Sequence, residues 1–138
     1  MRRLTLATIA LVLLAGPSLA DEKTAVSRAQ AAATKWLGLV DAAKYGPSWD
    51  EASTLFKGSV AKAKWEEMVK GVRGPMGAVK SRKLSTADFK RTLPGAPDGE
   101  YVVIQFDTQF GSKEAAVETV IPMLEKDGSW RVSGYYIK

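Results

Sequence analysis

Between positions 101 and 110 the chain reads Tyr101-Val102-Val103-Ile104-Gln105-Phe106-Asp107-Thr108-Gln109-Phe110. Val102, Ile104, Phe106, Thr108 and Phe110 alternate with Tyr101, Val103, Gln105, Asp107 and Gln109, so one side of the segment is apolar and the other mixed. That period of two marks a strand with one buried face. Just before it, residues 93–99 (LPGAPDG) are dense in turn formers, and residues 78–84 read as a polar, mixed strand suited to a sheet edge. Just after it, residues 115–124 and 130–137 predict two more strands joined around Asp127-Gly128, a strong hairpin signal. Pro122 brings no N–H to a ladder, which confines its part of the third strand to an edge or a bulge.

Upstream of Gly77 the dominant period is 3.6. Val26, Ala29, Ala33, Trp36, Leu37 and Val40 recur at spacings of three and four in an alanine-rich run, which predicts an amphipathic helix over 22–43. Gly46-Pro47 interrupts it. Ser48 with Glu51 fits a capping box for a short second helix carrying Trp49, Ala52, Leu55 and Phe56. Ser59 is placed to cap a third helix in which Ala61, Trp65, Met68, Val69 and Val72 share a face, and Gly71, Gly74 and Pro75 bring it to an end. Helices followed by consecutive antiparallel strands predict an α+β domain, with three N-terminal helices on one face of a curved antiparallel sheet of about four strands. The expected architecture is the cone of the cystatin-like and nuclear transport factor 2-like folds; a plain helix-on-sheet sandwich is the alternative.

The composition sets outer limits on chemistry. The 138 residues hold 46% hydrophobic side chains, enough for one core, and 20 Lys plus Arg against 15 Asp plus Glu. Cys, His and Asn are absent, which excludes a disulfide framework, a thiolate nucleophile, a Ser-His-Asp triad, a conventional zinc site and an N-glycosylation acceptor. There is no P-loop, no dinucleotide glycine motif and no EF-hand loop, so neither a cofactor nor a metal is expected.

The first twenty residues have a different logic. Arg2-Arg3, an apolar run over 4–15, the breakers Gly16-Pro17 and then Ser18-Leu19-Ala20 give the order of a secretory signal peptide cleaved after Ala20. The flanking pattern of a twin-arginine signal is missing. The apolar run is short for a membrane span, and without Cys there is no lipoprotein anchor, so residues 21–138 are expected as one periplasmic or secreted domain with no stable membrane anchor. Its net charge is modest and does not point to nucleic acid. That charge is unevenly spread: residues 57–91 hold ten basic and three acidic side chains, whereas 21–56 sum to −1 and 92–138 to −3.

Several stretches carry a family resemblance: WLGLVD from Trp36, YGPSW from Tyr45, SRKL from Ser81, LPGAPDGEYVVIQFDTQF from Leu93, AAVETV from Ala115 and DGSWRVSGYYIK from Asp127. Together they resemble the bacterial family called domain of unknown function 4019 over nearly the whole of residues 21–138. The resemblance implies an exported single domain of cystatin-like or nuclear transport factor 2-like shape and brings no activity with it.

Candidate site residues must therefore come from the polar strand positions and the helix tryptophans. Trp36, Trp49 and Trp65, one per predicted helix, are placed to line a cavity over the sheet, although core packing is the usual role of such residues. Gln105, Asp107 and Glu118 alternate with apolar neighbours, so at least one is a candidate to point inward, where a carboxylate could act as a general base. Arg82 is a candidate partner for one of these acids or for an anionic ligand. Three functions fit: a non-catalytic binding or accessory domain of the cell envelope, taking a small molecule or an envelope protein into a small cavity; a cystatin-like or scaffold protein acting through the basic middle segment; and a small enzyme with Asp107 or Glu118 as its base. The first is the expected one, because the chain lacks the commonest catalytic groups.

Overall fold

The computed structural model describes residues 18–138. The expected signal segment lies outside the described residues except at its last positions. Four helices, α1 (Leu19–Asp41), α2 (Tyr45–Asp50), α3 (Thr54–Ser59) and α4 (Lys62–Met76), precede four strands, β1 (Val79–Lys90), β2 (Tyr101–Phe110), β3 (Lys113–Leu124) and β4 (Trp130–Ile137). The strands pair antiparallel in chain order, β1-β2-β3-β4, as an open sheet. The chain is thus an α+β domain with its helices packed against a four-stranded antiparallel sheet.

Helix α1 begins at a capping box in which the Ser18 hydroxyl accepts from the Asp21 N–H and the Asp21 carboxylate accepts from the Ser18 N–H. Its buried side chains, Ala29, Ala33, Trp36, Leu37 and Val40, are the stripe that the sequence spacing predicts. The helix lies across all four strands.

The expected short helix is two helices. Ser53 divides them, because its hydroxyl accepts from the Phe56 N–H to cap α3 while its own N–H donates to the Val132 carbonyl at 2.8 Å. Ser48 is not a cap. It sits buried inside α2, where its hydroxyl donates to the Tyr45 carbonyl. Ser59 likewise bonds back to the Leu55 carbonyl, and Ala61 stands at the N-terminus of α4 without a side-chain cap. In α4 the buried row is Trp65, Val69 and Arg73, four residues apart, which leaves Met68 and Val72 about half exposed at 49% and 48%. An arginine takes the place that the apolar pattern assigned to valine.

In the sheet, the pairings Arg82–Thr108, Leu84–Phe106, Ala87–Ile104 and Phe89–Val102 set one face of β1 against the apolar face of β2. The same face continues through Ala116, Glu118 and Val120 of β3 to Tyr135 of β4. The helices and the core lie on this side. Strand β1 runs six residues beyond its predicted end and is kinked twice against β2, near Lys80 and Ser85. These irregularities break the alternation that sequence reading depends on. Pro122 falls where the register shifts between β3 and β4, which fits the bulge, but β3 is an interior strand rather than an edge. Tyr101 is buried although it lies on the opposite face, because the segment before β2 folds back over it and the Pro97 carbonyl accepts its hydroxyl proton at 2.6 Å.

Candidate functional site

Glu118 is a carboxylate with no exposed surface, in the middle of an interior strand. Such a charge is tolerable only if its lone pairs are filled by donors and its charge is balanced nearby. Both conditions are met. Arg82 of β1 donates from Nε to Oε1 at 2.7 Å and from one terminal nitrogen to Oε2 at 3.2 Å; Thr108 of β2 donates to Oε1 at 2.6 Å, and the Tyr135 hydroxyl of β4 donates to Oε2. The Arg82 fork then continues to Asp41, at the last position of α1, with contacts of 2.8 and 3.0 Å. Asp41 also accepts from Arg73 of α4 at 2.8 Å, and Arg73 donates to the Tyr135 oxygen at 3.2 Å, closing a ring that, with Thr108 attached at Glu118, draws six side chains from six elements.

Two arginines balance two carboxylates, so the cluster is neutral as a whole. The guanidinium of Arg73 also lies 4.8 Å from the ring centroid of Phe110, while its Nε has no hydrogen-bond partner among the described residues. Burial works to raise the pKa of Asp41, but the hydrogen bonds and charges of Arg82 and Arg73 outweigh it and hold the carboxyl below its usual range. Burial, and then the neighbouring Glu118 charge, push the Tyr135 phenol far above its ordinary value. As a chemical device this is a closed circuit, because every lone pair that Glu118 needs for taking a proton already accepts a hydrogen bond.

The seven residues marked by the sequence do not surround one space. Arg82 and Glu118 meet in the buried ring. Gln105 and Asp107 lie on the opposite face of β2, where Asp107 is exposed and Gln105 makes a long contact with Thr119. Trp36 and Trp65 pack together in the core with ring centroids 5.9 Å apart and share Ser48: Trp36 donates to its carbonyl at 2.8 Å and Trp65 to its hydroxyl at 2.9 Å. Trp49 stands apart, donating to the Val60 carbonyl at 2.8 Å with Lys57 near its ring.

Sequence reading missed Asp41 and Arg73 altogether. Arg73 had a readable signal, since it falls four residues after Val69 and eight after Trp65 on the buried stripe. The basic middle segment is partly explained by the same fact: two of its ten cations, Arg73 and Arg82, are neutralised inside the protein.

Away from the ring, a cleft of about 210 Å³ opens between α1 and the start of β4, with Trp36 and Trp130 in its wall and Lys35, Glu51 and Arg131 also lining it. Arg131 is held by Glu51 at 3.6 Å; Lys35 has no ion-pair partner among the described residues. A second groove of about 260 Å³ runs between α4 and β4, lined by Trp65, Met68, Val69, Val72, Tyr135, Tyr136 and Ile137. Among the described residues no helix is long and apolar enough to cross a membrane.

The sequence pattern of a family described as "Protein of unknown function (DUF4019)" matches residues 32–135, a span that includes all six members of the ring. No curated protein and no solved structure matches the chain.

Two outcomes follow from the ring. Glu118→Ala leaves Arg73 and Arg82 sharing the single charge of Asp41 and should cost about 3–5 kcal/mol in denaturant melts, whereas Glu118→Met with Arg82→Met should recover a good part of that loss. A loss below about 0.5 kcal/mol for the single variant would mean that the ring contributes nothing to folding. The pH profile should have two flanks. Asp41 has a folded pKa below its unfolded value of 3.8, so its contribution is complete above pH 4 and is lost as pH falls through the lower folded value. Tyr135 has a folded pKa above its unfolded value of 10.0, so stability falls as pH rises beyond about 10. Thermal melts from pH 2 to 11 read both flanks, and a Tyr135→Phe variant should flatten the second, leaving the part contributed by Tyr101, whose pKa burial also raises.

Proposed function

Because the chain belongs to the DUF4019 family, whose description carries no activity, we propose its function from its own geometry: it is a non-catalytic binding or accessory domain of the cell envelope. The observation that carries this reading is the saturation of Glu118. A general base needs a free lone pair directed at a substrate, and all the acceptor directions of this carboxylate are taken by Arg82, Thr108 and Tyr135. Asp107 offers the other carboxylate weighed as a base, but it stands exposed on the open face of the sheet, apart from the buried ring.

Binding is best supported at the cleft beside Trp36 and Trp130. Aromatic walls favour a flat apolar body, and the ammonium of Lys35 favours an anionic end. The volume suits a molecule of roughly ten to fifteen non-hydrogen atoms. Export is supported by the order of charges and apolar residues in the first twenty positions.

Mass spectrometry of envelope-fraction protein should find a chain beginning at Asp21; a mature protein that keeps Met1 overturns export by this route. For the cleft, naphthalene-2-sulfonate, an aromatic anion of that size, should bind the folded protein in a saturable manner and raise its melting temperature by mass action. Lys35→Glu should weaken that binding about tenfold, equivalent to about 1.4 kcal/mol, with no change in the melting temperature of the free protein. Binding that is indifferent to Lys35→Glu overturns the cleft as the site.

A further inference from the structure

The two edges of the sheet are built differently. Strand β1 presents Lys80, Lys83, Asp88 and Lys90 and is kinked twice against its neighbour, both of which discourage pairing with another chain. Strand β4 has one irregularity, at Ser133 opposite Ile121 and Pro122, but beyond it, from Gly134 to Ile137, it carries no charge, no proline and no further kink.

Its hydrogen-bonding phase can be read from the structure. Val117 and Lys138 exchange two main-chain bonds, N–H to O=C at 2.9 and 3.0 Å. In an antiparallel ladder such pairs alternate, so Tyr136 faces Thr119 in the same manner while Tyr135 and Ile137 turn their N–H and C=O groups away from the sheet. Among the described residues no main-chain hydrogen bond outside the ladder reaches either one, whereas the earlier part of the edge is covered by the bond from Ser53 to Val132. Beside these outward groups lies the groove between α4 and β4. Met68, Val72 and Tyr136, three of the five large hydrophobic side chains exposed among the described residues, line it.

We infer that this edge is a self-association surface, at which β4 of a second copy pairs antiparallel with β4 to join two four-stranded sheets. An unfilled row of main-chain groups calls for an extended polypeptide, and this segment meets its own requirement. A two-fold axis perpendicular to the sheet at Tyr136 pairs Tyr135 with the partner's Ile137 and Ile137 with the partner's Tyr135, so outward groups meet outward groups. Charge agrees with this occupant. The paired residues are uncharged and no like charges stand opposite each other, whereas self-pairing of β1 would crowd its lysines together. The same axis keeps the helices of both copies on one side of the joined sheet, where Met68 and Val72 cover the new strand and its mate.

The absence of cysteine makes the test direct. Tyr136→Cys introduces a lone thiol at an exposed position next to the two-fold axis, and mild oxidation should link it into a disulfide dimer within minutes, while Lys83→Cys on the far strand stays largely monomeric under the same conditions. Sedimentation of the unmodified protein should show a dimer that grows with concentration. Ile137→Pro removes an N–H that points out of the sheet, and Met68→Lys charges the groove; each should weaken dimerisation about tenfold with the circular dichroism of the monomer retained. A monomer at all concentrations, equal cross-linking at positions 83 and 136, or a dimer indifferent to both Ile137→Pro and Met68→Lys overturns the proposal.

Discussion

The buried carboxylate of Glu118 is the constraint around which the other elements are arranged. It sits on β3 and its main counter-charge comes from β1, which is not a neighbouring strand, so Arg82 must reach over β2 to meet it. Thr108 makes that crossing tolerable, since a phenylalanine in its place would put an aromatic ring where the fork now lies against a hydroxyl. The strands are thereby tied in phase. A slip of one residue in β1 would carry Arg82 to the open face and leave Glu118 unpaired, at a cost far above the difference between two alternative ladders. Helices are fixed by the same group, because Asp41 closes the end of α1 on Arg82 and Arg73 holds α4 to both Asp41 and Tyr135. An apolar cluster of this size would be as stable; ionic partners with directed hydrogen bonds add a penalty for every other arrangement.

The tryptophans work on the same principle with neutral groups. An indole N–H that is buried must find an acceptor, and the short α2 provides two of them in one residue. Ser48 offers its carbonyl to Trp36 and its hydroxyl to Trp65, which explains why a serine is buried inside a helix that is too short to be stable alone. Phe56 meets Trp65 edge-on at 4.9 Å and Tyr135 meets Trp36 edge-on at 5.3 Å, so the aromatic cluster runs without a break into the charged ring. Trp36, Trp49 and Trp65 are thus held by one another and by Ser48 and the Val60 carbonyl, and of the three it is Trp36 that also walls the cleft beside β4.

How much of this was legible in the sequence depends on the period of each element. The alternation at Val102, Ile104 and Phe106 placed β2 and its buried face without ambiguity, and the Ala29–Val40 stripe did the same for α1. The β2 alternation also puts Asp107 on the open face; Glu118 lies one strand away, where the phase is readable only from Ala116 and Val120 on either side of it. The serines misled because Ser48-x-x-Glu51 satisfies the capping pattern locally while Trp36 and Trp65, far away in sequence, claim the same groups. Strand β1 was cut short because its two kinks interrupt the alternation just where the polar residues are densest. The spacing from Trp65 and Val69 puts Arg73 on the buried stripe, but its role is hidden, because a cation there reads as the edge of the stripe until its partners, Asp41 and Tyr135, are known.

With the interior so completely paired, contact with other molecules is left to the rim, and the rim inherits its order from the ring. Tyr135 shows how. Its side chain is locked between Glu118 and Arg73 on the helix side, which fixes the path of β4 without using the outward N–H and C=O of that residue. An edge strand that must wait for a partner faces a conflict: its main chain has to stay unsatisfied, yet a strand with unsatisfied groups tends to fray. Anchoring the strand through a buried phenol resolves it, because rigidity then comes from the core and the edge remains available. Gly134 fits the same arrangement on the other face, where the Tyr136 ring and the Ile121 side chain close over the position that a Cβ would occupy, at 3.3 and 3.5 Å. The glycine lets an aromatic side chain lie along the strand instead of standing off it. Both tyrosines therefore stiffen the last turn of the sheet from opposite sides while leaving its main chain open.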